Sequence, residues 1–548
     1  MIRWNEQPLV DVIEILLRDM NSGGNIIFNG AQLTKKLLPS IKPRAQKDDA
    51  EKISRTRSVA EVFTPSELVK FMVDAIDDRQ IDSRYIEIAC GEAPFVTSRY
   101  DAETGENIPP ERRAGILDRK LRAAKNFHEA KRAVQSVYGY ELQGDSLIIA
   151  RANVLLSFAE AIKNFSDSDL AEVAEIVAAN FFQFDGTSKP DSLFAPTIID
   201  WRGGGKFSFG GFNMKKFDYV ISNPPYNEET ADTSDNPIYH YFMEASKKIS
   251  DKAVFITPAR FLFNAGKTPK DFNRRMLNDP HFKVLDYAPD PRKYFRGVDI
   301  KGGVAVTLRD DTKNFGTIGT FIPFPELKSI HDEICVDDKN FRSLSKIIYP
   351  PESFHFSEKF HADNPNAAKL LSSGHADDLT TNIFDKLKKY FFDDKPSDGY
   401  DYIQILGLTK MRRAFKWIRR DYIRNDTNLD KYKIFLPKSN GSGNLYEVLS
   451  TPLVGATQTF ISVGAFDTRA EAEACLAYIK SKFCRAMLGI LKVTQHNPPQ
   501  TWAKVPLQDF TADSDIDWSG NVDAQLYCKY NLTETEIAFI ERHVKAME

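Results

Sequence analysis

Phe217-Asp218-Tyr219-Val220-Ile221-Ser222-Asn223-Pro224-Pro225-Tyr226 is the stretch on which the reading of this 548-residue chain turns. Aromatic and β-branched residues from Phe217 to Ile221 suit a strand, and two prolines without N–H donors stop it at once. The tetrapeptide from Asn223 to Tyr226 therefore sits at a strand's carboxyl end, where open α/β sheets bind their ligands. Working outward, strand patterns recur at Tyr85–Ala89, Ser136–Tyr140, Ala253–Thr257, Val284–Tyr287 and Gly303–Leu308. Helical patterns lie between several of them, among them Ser146–Phe158 and Ile238–Ile249. Such alternation from Glu61 to about Asp311 predicts an α/β fold with a doubly wound, mostly parallel, Rossmann-like sheet.

The flanks read differently. Pro8 to Met20 has helical spacing and ends at Asn21-Ser22-Gly23-Gly24, and the polar, basic stretch from Lys42 to Arg57 predicts a mobile loop. Beyond about Phe321 the alternation fades into aromatic-rich polar segments, with helical patterns at Ala470–Leu491 and Glu534–Lys545. The expected organisation is an N-terminal helical extension and basic loop over 1–60, an α/β domain over 61–320 and a mixed α+β domain over 321–548. Net charge is only -3, which excludes a histone-like polycation but allows a local basic patch. Five widely spread cysteines without a CxxC pair argue against a disulfide framework or a structural zinc. No apolar run is long enough for a membrane span and the start is no signal peptide, so a cytoplasmic protein is expected.

What Asn223-Pro224-Pro225-Tyr226 offers is a clamp for an amine on an aromatic ring. Such an amine is a poor nucleophile because its lone pair is delocalised. The Asn223 side-chain oxygen and the Pro224 carbonyl can each accept one of its N–H groups, and Tyr226 presents a flat face for a base to stack on. Glu87-Ile88-Ala89-Cys90-Gly91-Glu92-Ala93-Pro94-Phe95 supplies a second constellation. A small-residue turn after a first strand lets a cofactor approach the backbone, and Glu141, near the end of the second strand, fits an acidic ribose contact.

The order Phe63-Thr64-Pro65, Ala89-Cys90-Gly91, Glu141, Asp185 and Asn223-Pro224-Pro225-Tyr226 resembles the gamma-class N6-adenine DNA methyltransferases of type II restriction-modification systems. The resemblance implies S-adenosyl-L-methionine as cofactor, held by Thr64, Pro65, Glu87, Ala89, Gly91, Glu141, Asp185 and Asn223. Asp191 is the alternative to Asp185. It also implies catalysis by Asn223, Pro224 and Tyr226 on an adenine rotated out of duplex DNA, with Phe295 as the stacking partner opposite Tyr226 and Tyr294 in reserve. Glu87 and Ala93 depart from the usual Asp and second Gly of the family's Asp-Pro-Ala-Cys-Gly-Ser-Gly-Asn-Phe, which puts the loop's hold on the methionine part in question. No metal is needed, because a sulfonium already carries an activated methyl group.

Residues 401–440 hold ten Lys or Arg against four Asp, interleaved with Phe415, Trp417 and Tyr422. Arg412, Arg413, Lys416, Arg419, Arg420 and Lys438 are the expected DNA contacts of a target-recognition domain. Pro289-Asp290 followed by Asp299-Ile300-Lys301 matches a metal-nuclease pattern, but it falls inside the α/β region beside the expected stacking aromatic and is rejected. The reading is modification without cutting, with a cognate restriction endonuclease admitted as a partner. The alternatives are a type I modification subunit needing a separate specificity chain, a protein or ribosomal methyltransferase, and a non-catalytic DNA-binding defence component.

Overall fold

The computed structural model describes residues 2–20, 24–58, 64–76, 80–101, 104–187, 196–208, 216–228, 236–295, 300–337, 339–371, 374–424, 427–440, 445–492 and 495–547. The chain divides into two compact units, Met1–Thr320 and Phe321–Glu548.

The first unit is built on a seven-stranded sheet: β1 (Tyr85–Ile88), β2 (Val137–Glu141), β3 (Phe181–Gln183), β4 (Phe217–Ser222), β5 (Ser250–Pro258), β6 (Phe282–Ala288) and β7 (Val304–Asp310). Their order across the sheet is β6-β7-β5-β4-β1-β2-β3. The five strands from β5 to β3 pair in parallel, and β7 lies antiparallel between β5 and β6. Strand order thus reverses at the β1/β4 pair, the switch point at which a crevice opens beyond the carboxyl ends. Crossover segments carry helices Ile116–Ala123 and Phe127–Gln135 after β1, Gly144–Ala161 and Asp167–Asn180 after β2, and Tyr239–Ile249 after β4. Val220, Ile221 and Ser222 of β4 are all buried, as expected of a strand covered on both faces.

One sequence expectation is corrected in this unit, and one strand is added to those expected. The expected mobile loop from Lys42 to Arg57 contains a 3-10 turn, Arg44–Gln46, and a helix, Asp49–Ser58. Its order comes from charge pairing at long sequence range: Lys47 and Arg55 both meet the buried carboxylate of Asp145, at 3.3 and 3.1 Å. The short strand β3 was not read from sequence. The first sixty residues share the unit's core through Leu9, Val12, Ile13, Leu16, Ile26 and Leu33. Buried Arg151 fastens them, its guanidinium donating to the carbonyls of Leu16, Arg18, Ala178 and Phe181.

In the second unit a three-stranded sheet is formed by β8 (Tyr402–Thr409), β9 (Arg412–Arg419) and β11 (Val454–Ala456), with β8 in the middle. A four-stranded sheet includes β10 (Tyr432–Pro437) paired with β12 (Phe460–Phe466). The helical pattern expected as one run at Ala470–Leu491 is two helices, Arg469–Lys480 and Lys482–Gly489. Ser481 takes extended backbone between them, and its hydroxyl caps the second by accepting the Cys484 N–H. Among the described residues no helix is long and apolar enough to cross a membrane.

Candidate active site

Every expected cofactor residue from Ala89 onward sits on the carboxyl edge of the sheet. β1 runs into Ala89-Cys90-Gly91, β2 ends on Glu141, Asp185 follows β3, and β4 runs into Asn223. The backbone of the first turn is unusual: Ala89, Gly91 and Ala93 have φ of 50°, 54° and 60°. Left-handed alanines are costly and persist where surrounding structure imposes them. Ala93 therefore keeps the backbone form that a glycine would adopt freely. A Cβ built on Gly91 would meet no atom within 4 Å, so the space above that turn is open.

Glu141 ties the turn to the next strand. Its carboxylate accepts the Gly91 N–H at 2.8 Å and the Gln143 N–H at 2.9 Å. Glu87 behaves differently: it is buried beneath the turn, accepts the Val96 N–H at 3.1 Å, and burial pushes its carboxyl well above the usual range. Its observed contact is with the loop backbone. Asp185 is exposed and accepts both the N–H and the hydroxyl of Thr187, at 2.9 and 2.6 Å. Phe63 and Asp191 lie outside the described residues. Sequence reasoning passed over Leu142, which follows Glu141 and is 52% exposed. An exposed leucine beside a site carboxylate is the signal that could have found it.

The clamp itself is joined to the first half of the site. Asn223 Nδ2 donates to Thr64 Oγ1 at 3.2 Å, so the acceptor end of the amide, Oδ1, is turned away from Thr64. Ser222 donates to the Ile88 carbonyl at 2.7 Å, locking the ends of β4 and β1 together across the switch point. Pro65 precedes helix Ser66–Asp74 in extended backbone. Pro224 and Tyr226 are buried, and the Tyr226 carbonyl accepts the Ile238 N–H at 3.0 Å. The Tyr226 hydroxyl has no hydrogen-bond partner among the described residues, and burial alone raises its pKa. Phe295 touches it: the ring centroids are 6.4 Å apart at 74°, edge to face. Tyr294 instead donates its hydroxyl to Asp286 at 2.7 Å.

Asp290 of the rejected nuclease pattern caps a 3-10 turn and pairs with Arg292 at 2.7 Å; Asp299 lies outside the described residues. Among the described residues no group of three or more His, Cys, Asp or Glu is placed to hold a metal ion.

In the second unit the basic stretch is less free than its charge count implies. Lys416 pairs with Asp393, Arg419 with Asp421 at 2.6 Å and Arg420 with Asp430 at 3.4 Å. Arg419 also lies 3.7 Å over the Tyr400 ring and 4.4 Å over that of Tyr422. Arg413 donates to the Tyr446 carbonyl, whereas Arg412 and Lys438 are exposed and have no carboxylate partner among the described residues.

Residues 135–295 match the model of the family described as Eco57I restriction-modification methylase. The match covers less than a third of the chain. The matched span contains Glu141, Asp185, the Asn223–Tyr226 clamp and Phe295, and begins after Thr64 and the Gly91 turn. No curated protein sequence matches the chain. Among solved structures, the DrdV–DNA complex is 11% identical over 85% of this chain and 59% of that one, with a TM-score of 0.39. The type IIG restriction endonuclease BpuSI is 8% identical over 90% and 66%, at 0.34, and the M protein of the type I restriction enzyme EcoKI is 15% identical over 52% and 55%, at 0.29. The chain spans less than two thirds of each of these.

Proposed function

We propose that the chain is a site-specific DNA methyltransferase that modifies the N6 amine of an adenine extruded from duplex DNA. The observation that carries this reading is the meeting, at the sheet's switch point, of the Asn223-Pro224-Pro225-Tyr226 clamp with Thr64 and the open turn at Gly91.

S-adenosyl-L-methionine fits the other half of the crevice and supplies, when bound, a methyl group on a positively charged sulfur. The carboxylate of Glu141 is matched to the ribose hydroxyls, exposed Leu142 to the face of the cofactor's adenine, and Asp185 to that ring's edge. Gly91 and the left-handed Ala89 leave room for the cofactor to lie on the backbone, with Thr64 and Pro65 on the opposite wall. Glu87 contributes by holding the Gly91–Val96 loop in place.

On the substrate side, Asn223 Oδ1 and the Pro224 carbonyl accept the two N–H bonds of the target amine. They draw its lone pair out of the ring and aim it at the incoming methyl group. With the cofactor bound, its methyl group would be supplied to that nitrogen, and Asn223 Oδ1 and the Pro224 carbonyl would hold the amine's two protons until one is lost to water. Tyr226 stacks on the extruded base. Phe295, now edge-on to Tyr226, would have to turn to cover the base's other face.

The second unit reads as the target-recognition domain. Arg412, Arg413 and Lys438 face solvent for phosphate contacts, while Lys416, Arg419 and Arg420 must first leave their carboxylates. A cognate restriction endonuclease would be a separate partner. The test is to express the full chain in a host free of DNA methylation and map modified adenines by single-molecule sequencing, beside Asn223→Ala. One modified sequence context is expected with the wild-type chain and none with the variant, whose loss of one preorganised acceptor lowers the rate by roughly 100- to 1000-fold. Unmodified DNA with the wild-type chain overturns the reading.

A further inference from the structure

The most exposed large apolar side chain among the described residues belongs to the second unit. It is Met411, 87% exposed, at the tip of the β8–β9 hairpin. The two strands pair without a break from Tyr402↔Arg419 to Thr409↔Arg412, leaving Lys410-Met411 as the whole turn. Both turn residues are left-handed, with φ of 48° and 63°, the pair that a two-residue type I′ hairpin turn demands. Asn-Gly makes that turn without strain, whereas lysine and methionine both resist it. Folding alone gives no reason for a bulky apolar side chain there.

The surroundings say what the tip faces. Lys410, Arg412 and Arg413 are all exposed around Met411, and neither Lys410 nor Arg412 has a carboxylate partner among the described residues. Phe415, 42% exposed, stands two residues beyond Arg413 on the same face of β9. The base of the hairpin is rigid, since Ile403, Ile405 and Leu406 of β8 are buried and β8 is paired on both sides. A lone apolar tip within a cationic collar matches a duplex, whose phosphates flank a groove floored by apolar base faces and edges. A lipid surface or an apolar protein groove would call for more than one apolar residue at the tip.

We propose that Met411 is a wedge that the Lys410–Arg413 collar presses into a base step of duplex DNA, partly unstacking and untwisting it. Methionine suits the task because it is unbranched and polarisable and can thread between bases, as other apolar wedges do. The proposal rests on the DNA-methyltransferase reading and adds to it a contact that reads deformability of the duplex rather than base edges.

The test uses the full chain and a plasmid bearing the sequence context found by modification mapping. Duplex affinity is measured by fluorescence anisotropy at several salt concentrations, and untwisting by relaxing the plasmid with a topoisomerase in the presence of the protein. Met411→Ala should weaken binding about tenfold and reduce untwisting per bound protein, with the salt slope unchanged. Met411→Leu should keep both. Lys410→Gln with Arg412→Gln should instead lower the salt slope by about two contacts' worth. If the wild-type chain methylates DNA but Met411→Ala binds and untwists it equally well, the wedge is refuted and the methyltransferase reading stands. A wild-type chain that neither binds nor methylates DNA overturns both. Met411→Ala that disturbs only association with a protein partner assigns the tip to that partner and refutes the wedge.

Discussion

Thr64 tests whether the two halves of the site work through each other. The resemblance makes it a cofactor residue, yet the structure shows its hydroxyl accepting the Asn223 Nδ2 at 3.2 Å while only 4% exposed. Thr64→Val keeps the volume and removes that acceptor. The lost hydrogen bond is worth about 0.5–1.5 kcal/mol, a factor of roughly 2 to 13 in rate at 1.36 kcal/mol per tenfold. The loss should fall towards the upper end, because an amide no longer held by Thr64 can rotate and offer its NH₂, a donor, where the target amine needs an acceptor. Single-turnover methylation should slow by about tenfold, calorimetric cofactor affinity should stay put, and Thr64→Ser should restore the rate. In an Asn223→Ala background the valine should add little, since its effect runs through that amide. A weakened cofactor affinity with an unchanged single-turnover rate would refute the reasoning and return Thr64 to the cofactor alone.

Glu141→Ala removes the acceptor of the Gly91 and Gln143 N–H groups as well as the proposed ribose contact; calorimetry should show cofactor binding weakened by about 1.5–3 kcal/mol, and an unchanged affinity would move the ribose elsewhere. Arg151→Met strands four carbonyls that the guanidinium now serves, and urea denaturation should register a loss of about 3 kcal/mol or more; a wild-type midpoint would mean the N-terminal segment is held by its apolar contacts alone. Lys433 is fully buried among the carbonyls of Leu429, Lys431 and Thr451, and burial brings its pKa down to about 7. The unfolded chain then binds more protons than the folded one between about pH 7 and lysine's ordinary value near 10.4, so stability should rise with pH across that window. Lys433→Met should flatten that rise in thermal denaturation scans, and an identical slope in the variant would show that the ammonium is charged in the fold.

The fold was legible where burial writes itself into local composition. β4 is apolar because both its faces are covered, and Pro224-Pro225 marks its end, so the strand and its carboxyl end could be read from ten residues. β3 could not, because Phe181–Gln183 is too short to show any period and is a strand only through its pairing with β2. The 42–57 segment was hidden for a different reason. Its side chains are polar, and what orders it is Asp145, about ninety residues away in sequence. Charge counting failed similarly in the second unit: ten basic residues stand among four acidic ones in 401–440, but Asp393 and Asp467, outside that window, pair with Lys416 and Lys431. Local sequence reports which side chains are present, and only the fold reports which of them are already spoken for.

That distinction also explains the uneven character of the candidate site. Glu141, Asp185, Asn223 and the Gly91 turn are brought together by strand order alone, because in a parallel sheet each strand delivers its last residue to the same edge. Their positions follow once the strands are recognised. The Tyr226–Phe295 pair has no such guarantee. Phe295 arrives on the segment after β6, an outer strand of the sheet, and meets Tyr226 edge-on at 6.4 Å, a geometry in which no base fits between the rings. On the methyltransferase reading, the side of the crevice that would take the cofactor is built by strand order, whereas the side that would take the base needs Phe295 to turn. Of the two, the base side is where a sequence motif promises more than the resting structure supplies.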